Sequence, residues 1–307
     1  MDRPDLPPDA GPGPHPGLHA GFAAWLRERQ ASLCAALEAL DGEGTFGRDA
    51  WERPGGGGGL TRVLEGGRLL EKAGVNFSDV SGELSEAFAK RLPGSGRTFT
   101  ACGLSLVLHP VNPYVPITHA NVRFITHGDR ASFGGGADLT PAYLIDEDAS
   151  HFHGTLKAAC DRLDPDWYQR FKDACDAYFF LRHRAEGRGV GGLFFEDPGG
   201  PLERQRSLAE GLVEAFLPAW APIAERRRHL AYGEREREWQ ELRRGRYVEY
   251  NLLYDRGTTF GLETGGRVES ILMSLPPRVR WGYAREPAPG TEEARLVEVL
   301  RSPRRWA

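Results

Sequence analysis

The stretch from Ser105 to Asp138, SLVLHPVNPYVPITHANVRFITHGDRASFGGGAD, limits the possible folds of this chain more than any other. It holds two runs whose alternate residues differ in kind. In the first, Gly103, Ser105, Val107 and His109 alternate with Leu104, Leu106 and Leu108. In the second, His119, Asn121 and Arg123 alternate with Ala120, Val122 and Phe124. Successive side chains of a strand point to opposite faces, so each run reads as a strand with one apolar face and one face carrying chemistry. A solvent-facing strand more often shows Lys, Thr and Glu. A row of His, Asn and Arg suits the floor of a site for an anionic or metal-bound ligand. The intervening HPVNPYVP holds three prolines, which favour a fixed, extended connection.

Around this centre the patterning alternates between strands and helices without strict order. Residues 18–40 put Phe22, Leu26, Leu33, Leu37 and Leu40 on one side of a helix. RVLEGGRLLEKAGV predicts a strand pair turning at Gly66-Gly67, and residues 81–92 predict a short, weakly capped helix. DEDASHFHGTLKAACDRL opens with acids and Ser150, a helix entry. Over 165–185, Phe171, Cys175, Phe179 and His183 fall at every fourth position, so His183 extends an apolar stripe at that helix's C-terminal end. GVGGLFFED predicts a buried strand. Residues 203–245 read as two helices divided near Pro218 and Pro222, then a charged, solvent-facing helix. Beyond them Tyr247, Glu249 and Asn251 oppose Val248, Tyr250 and Leu252 as in a strand, with turns at Asp255-Arg256-Gly257 and Gly265-Gly266. Strands joined by short turns favour an antiparallel sheet covered by helices, an α+β fold, over a doubly wound nucleotide fold.

Composition excludes several classes. The 307 residues are 40% apolar, enough for a substantial core, and no stretch approaches the roughly 18 to 20 apolar residues of a membrane span. Residues 1–20 are rich in proline and glycine, lack the features of a secretory signal, and read as a disordered tail. Four cysteines form no CxxC pair, which suits free thiols in a reducing cytoplasm. A net charge of −4 argues against general nucleic-acid affinity, and the arginine clusters at 226–228, 243–246 and 301–305 read as solvated helix faces and ends. The run Gly55 to Gly59 is followed by no Gly-Lys-Ser/Thr, so it reads as a turning or flexible segment.

His109, His119, His153 and His183 are the residues from which a site would be built. Imidazole suits divalent transition metals, but HxxxH and HExxH are absent, and on a helix His151 and His153 diverge. Metal ligation and acid–base chemistry therefore both stay open for them. His119 suits proton transfer because its unperturbed pKa lies near neutrality. Arg123 shares its face and can clamp a carboxylate through two parallel hydrogen bonds. Asp138, delivered from a turn by Gly134-Gly135-Gly136, either accepts a proton, or holds a ring N–H, or closes an Asx-turn or helix cap. GxGxxG, Walker, GxSxG and clustered-cysteine signals are all missing.

Taken together, these segments resemble the oxygen-dependent coproporphyrinogen III oxidases. The blocks that carry the resemblance include WERPGGGGG, SLVLHPVNPYVPITHANVRF, FGGGADLTP, EDASHFHGTLKAACD, YFFLRHRAEGRGVGGLFFED and GRYVEYNLLYDRGTTFGLETGGRVESILMSLPP, in order across about residues 45–285. The resemblance implies one domain over 21–307, built on a large flat antiparallel sheet with helices on both faces, and a homodimer formed through about 247–282. It implies oxidative decarboxylation of two propionates of coproporphyrinogen III to vinyl groups, with O2 as co-substrate and without flavin, haem or nicotinamide. Position by position, His119 matches the proton donor; Ser105, Asn121, Val122, Arg123, Gly265, Gly266 and Arg267 match substrate contacts; His109, His119, His153 and His183 match a set of divalent-metal ligands. Asp138 and Arg123 match groups that engage pyrrole nitrogens and propionates. In the mechanism this suggests, the reduced macrocycle supplies the electrons, Asp138 holds a pyrrole N–H while O2 adds beside it, and Arg123 and Arg267 orient carboxylates.

The chain departs from the family pattern twice: Glu196 replaces an aspartate in FFED, and Ala131-Ser132 replace an aromatic pair before FGGG. Two competing functions fit the same residues. One is a metal-dependent oxygenase of another acid with His109 and His119 as ligands; the other is a tetrapyrrole carrier that converts nothing.

Overall fold

The structure, a computed structural model, describes residues 13–89, 93–263 and 265–307. Its first helix, α1, spans Pro16–Asp41, so it begins inside the stretch read as a tail, while residues 1–12 lie outside the described residues. Strands β1 (Asp49–Glu52), β2 (Gly57–Glu65) and β3 (Leu70–Glu83) follow as a meander. The expected turn at Gly66-Gly67 joins β2 to β3. The Asp41 carboxylate accepts from the backbone N–H groups of Gly44, Arg68, Leu69 and Leu70, tying the end of α1 to that turn. The expected helix over 81–92 is described as α2 (Glu86–Ala89), and its continuation lies outside the described residues.

The central stretch forms three long strands, β4 (Thr98–Pro110), β5 (Ile117–His127) and β6 (Arg130–Thr140). The three glycines expected in a turn are therefore within a strand, and Asp138 projects from β6. After helices α3 (Asp146–Asp161) and α4 (Trp167–Tyr178) come a two-residue pair, β7 (Phe180–Leu181) and β8 (Glu186–Gly187), and then β9 (Gly191–Glu196), which returns beside β6. The result is an antiparallel sheet in the order β1-β2-β3-β4-β5-β6-β9. On one face Cys102, Leu104, Leu106, Leu108, Ala120, Val122, Phe124, Phe133, Ala137 and Leu139 pack beneath α1, α3 and the long helix α5 (Leu202–Arg227). Each large apolar side chain buried this way contributes about 1.5–3 kcal/mol, which is why the alternation read from sequence holds here.

The opposite face is covered by α6 (Glu234–Leu253), α7 (Arg256–Glu263) and α8 (Val268–Leu272), with Tyr247 packed on Val107 and Ile117. Helix α9 (Glu292–Arg301) closes the chain. Helices thus lie on both faces, as the α+β expectation required.

Four local expectations are corrected. Residues 247–252 are helical: Trp239, Leu242, Tyr247, Val248, Tyr250 and Asn251 are buried at helical spacing, and the strand-like alternation was a coincidence of Tyr and Val with Glu and Asn. The helix is also not solvent-facing, since Arg243 and Arg244 are buried and bonded to Glu186 and Glu71. Pro218 and Pro222 do not divide α5. Pro222 has no N–H to give the Pro218 carbonyl four residues back, and the His151 Nε2 donates to it instead at 3.1 Å. Helix α4 ends at Tyr178, so His183 sits in the β7–β8 turn and not on an apolar helical stripe.

Candidate active site

The sheet register places His119, Asn121 and Arg123 on the face under α6 to α8 and sets specific partners beside each. Asn121 lies between Ser105 of β4 and Gly136 of β6, and Ser105 lies beside Asn76 of β3. His119 pairs with Asp138, and Arg123 with Gly134. A cavity of about 290 Å3 opens over this row, lined by Ser105, His119, Asn121, Arg123, Tyr247 and Asn251 among others.

Asp138, on β6 beside His119, is 2% exposed. Arg188, from the turn between β8 and β9, donates through Nη2 to both carboxylate oxygens, at 2.7 and 2.8 Å. His119 Nδ1 is 3.0 Å from Oδ1, and Thr140 Oγ1 donates to Oδ2 at 3.4 Å. Burial opposes ionisation of Asp138, yet the charge of Arg188 and the bond from His119 hold its carboxyl below the usual range. An ionised carboxylate only accepts, so His119 donates from Nδ1 and turns Nε2 toward the cavity. There Asn121 Nδ2 approaches Nε2 at 3.4 Å.

Arg188 is itself encased. Its guanidinium lies over the rings of Phe179, Tyr247 and Tyr250 at 4.0, 4.6 and 4.9 Å, and Nη1 donates to Asn251 Oδ1 at 2.9 Å. These contacts hold a charged chain, Asn251–Arg188–Asp138–His119, whose only end facing the cavity with a titratable nitrogen is His119. Asp138 is not among the residues that line the cavity, whereas His119 and Arg188, both bonded to it, are.

Sequence reading missed Arg188, Tyr247 and Asn251. Arg188 stands between Gly187 and Gly189, a context that gives no hint of its partner. Tyr247 and Asn251 were recoverable, because they continue the helical spacing set by Trp239 and Leu242.

Other nominated residues are placed elsewhere. Val122 turns its side chain into the core on the far side of the sheet. Gly265, Gly266 and Arg267 precede α8, away from the cavity lining, and Arg267 pairs with Asp49 of β1. The four histidines do not converge. His109 is fully buried against Tyr247 and donates from Nε2 to the Ser274 carbonyl at 2.8 Å. His153 accepts at Nδ1 from Tyr168 at 2.9 Å and donates from Nε2 to the Val190 carbonyl at 3.1 Å. His183 donates from Nε2 to Glu249 at 2.7 Å and accepts at Nδ1 from Tyr254 at 2.8 Å. Among the described residues no group of three or more His, Cys, Asp or Glu side chains is arranged to hold a metal ion, so the expected four-histidine centre does not fit this chain's geometry. The four cysteines are free and buried, and burial pushes Cys34, Cys102 and Cys160 up to about 12, which removes them as thiolate nucleophiles.

A larger cavity of about 960 Å3 opens on the other face, between α1 and β1 to β3. Its arginines include Arg27, paired with Asp79, and Arg53, which donates to the Ser81 carbonyl. None of the nominated site residues lines it.

Among the described residues no helix is long and apolar enough to cross a membrane. The model of one protein family, described as coproporphyrinogen III oxidase, matches residues 21–306. The match spans nearly the whole chain, and the chain belongs to that family.

Proposed function

From that membership we propose that the chain catalyses oxidative decarboxylation of two propionates of coproporphyrinogen III to vinyl groups, giving protoporphyrinogen IX with O2 as oxidant. Each propionate loses CO2 and, in net terms, two electrons and two protons; one O2 accepts them and leaves as hydrogen peroxide. The observation that carries the reading is the row His119–Asn121–Arg123 lining one cavity, with the buried Asp138–Arg188 pair beside His119.

In this reading Arg123 orients a propionate carboxylate, and Ser105 and Asn121 bond the macrocycle's polar edge. His119 moves the proton at Nε2, with Asp138 fixing its tautomer and stabilising its charged form. Arg188 keeps Asp138 ionised, and the aromatic wall of Phe179, Tyr247 and Tyr250 keeps water from that pair. A tetrapyrrole is larger than the 290 Å3 cavity, so the α7–α8 cover moves aside as it enters. We assign Gly265, Gly266 and Arg267, which lie between α7 and α8 in that cover, to substrate contacts made after this movement.

We also propose a homodimer through residues 247–282, where Leu252, Leu253, Leu262, Val268 and Trp281 are exposed. Light scattering of the purified chain tests it. A cytoplasmic location suits four unpaired thiols.

The test of function is oxygen uptake, CO2 release and vinyl product from coproporphyrinogen III with purified protein. Turnover in air and binding without CO2 release under anaerobic conditions support the proposal. Conversion in the absence of oxygen, or none in its presence, refutes it.

A further inference from the structure

We propose that Glu196, held between Arg123 and Arg256 at the cavity's rim, is an internal placeholder which a substrate propionate displaces. This rests on the reading of the site as one for a tetrapyrrole with propionate side chains. It adds Glu196 as a positioning residue at that rim.

The clamp is built by the sheet register. Gly134 of β6 pairs with Arg123 on one side and with Glu196 on the other, so the two side chains face each other across a residue that has none. A Cβ on Gly134 would stand 3.1 Å from the Arg123 guanidinium carbon, in the space that lets Arg123 lie across β6. Arg123 Nη2 then donates to Glu196 Oε1 at 2.6 Å. From the first position of α7, Arg256 Nη2 reaches the other oxygen, Oε2, at 3.1 Å. Its guanidinium lies 4.7 Å over Tyr178, which is stacked on Phe194 at 4.1 Å; both rings line the cavity. Asp255 and Gly257, on either side of Arg256, line it too.

The arrangement has the form of a site already holding its ligand class. One carboxylate is shared between two guanidiniums, one bond to each, although a guanidinium can present two parallel donors to a single carboxylate. The side chains are 37%, 41% and 60% exposed for Arg123, Glu196 and Arg256, and ion pairs in water exchange readily. Asp138 and Arg188, at 2% to 3%, are the opposite case and do not exchange. An arriving propionate offers the same chemistry as Glu196 and gains from both arginines. Because Arg256 heads α7, the exchange also loosens that helix from β9 as substrate enters.

The test uses the full chain with coproporphyrin III, the oxidised and unreactive tetracarboxylate, titrated by tryptophan fluorescence quenching. Steady-state kinetics on coproporphyrinogen III run alongside. Glu196→Gln empties the clamp of its internal anion and is expected to bind the probe several-fold tighter than wild type. Arg256→Gln is expected to bind several-fold weaker, with the loss expressed in KM and not in kcat, and Arg256→Lys to recover part of it. Combining Glu196→Gln with Arg256→Gln is expected to remove the tightening. Wild type that binds the probe while Glu196→Gln and Arg256→Gln leave its affinity unmoved, with melting temperatures preserved, overturns the clamp alone. Wild type that neither binds the probe nor converts coproporphyrinogen III overturns the tetrapyrrole reading beneath it, and the clamp with it.

Discussion

Arg188 Nη2 bonds both carboxylate oxygens of Asp138, at 2.7 and 2.8 Å, with each residue only 2% exposed. Removing one partner leaves the other charged in a medium that cannot solvate it. Asp138→Ala is therefore expected to cost stability, by about 3–5 kcal/mol, as well as turnover. Urea denaturation measures the first, and a loss below 1 kcal/mol would mean that water reaches Arg188 freely. Asp138→Asn keeps the volume but can present its amide N–H to His119, reversing the tautomer, so its turnover is expected to fall further than its stability.

His119 is the group through which that pair acts on the cavity. His119→Asn is expected to lower kcat for coproporphyrinogen III by about 10²–10⁴ while the melting temperature changes little, because the side chain borders the cavity and not the core. A kcat within twofold of wild type would remove proton transfer at this position from the mechanism.

Gly134 makes room for Arg123. Gly134→Ala places a methyl 3.1 Å from the Arg123 guanidinium carbon and pushes it from Glu196. A several-fold rise in KM with an intact far-ultraviolet circular dichroism spectrum is the expected outcome. Unchanged KM would show that Arg123 reaches substrate along another path.

Acid lability has a defined source in two histidines. Burial and then the nearby Lys172 lower His153 to about 3, and burial and then Arg244 push His109 well below its ordinary value. In the unfolded chain both titrate near 6.5. Between there and their folded values the unfolded chain binds more protons, so stability rises with pH. The contribution is complete above about pH 6.5 and declines as pH falls, by about 3 kcal/mol for His153 at pH 4.5. Urea midpoints at pH 7.5 and 4.5 check this, and His153→Gln is expected to flatten the difference between them.

The strands were legible where one face met the core and the other met the site. Leu104, Leu106 and Leu108 had to turn inward once the chain was extended, and that choice fixed Ser105, Val107 and His109 on the other face. The same logic misled at Tyr247–Leu252. A two-residue alternation over six residues also fits part of a helix, and as part of one Tyr247 packs on Val107 and Ile117. Pro222 misled because a histidine on α3 satisfies the Pro218 carbonyl that it orphans, and the helix runs on through both prolines.

Of the site, the chain alone determined the row His119–Asn121–Arg123, since a strand's pleat is a local property that residue order dictates. Tertiary structure decided which charges meet. Arg188 on Asp138 and Glu196 on Arg123 join residues 50 and 73 positions apart. Ion pairing at such separations depends on sheet register and on what shields the pair from water, and neither is encoded in the neighbourhood of either residue. It likewise sent His109, His153 and His183 to separate partners, because a histidine's role follows from the donors and acceptors that folding brings to its ring.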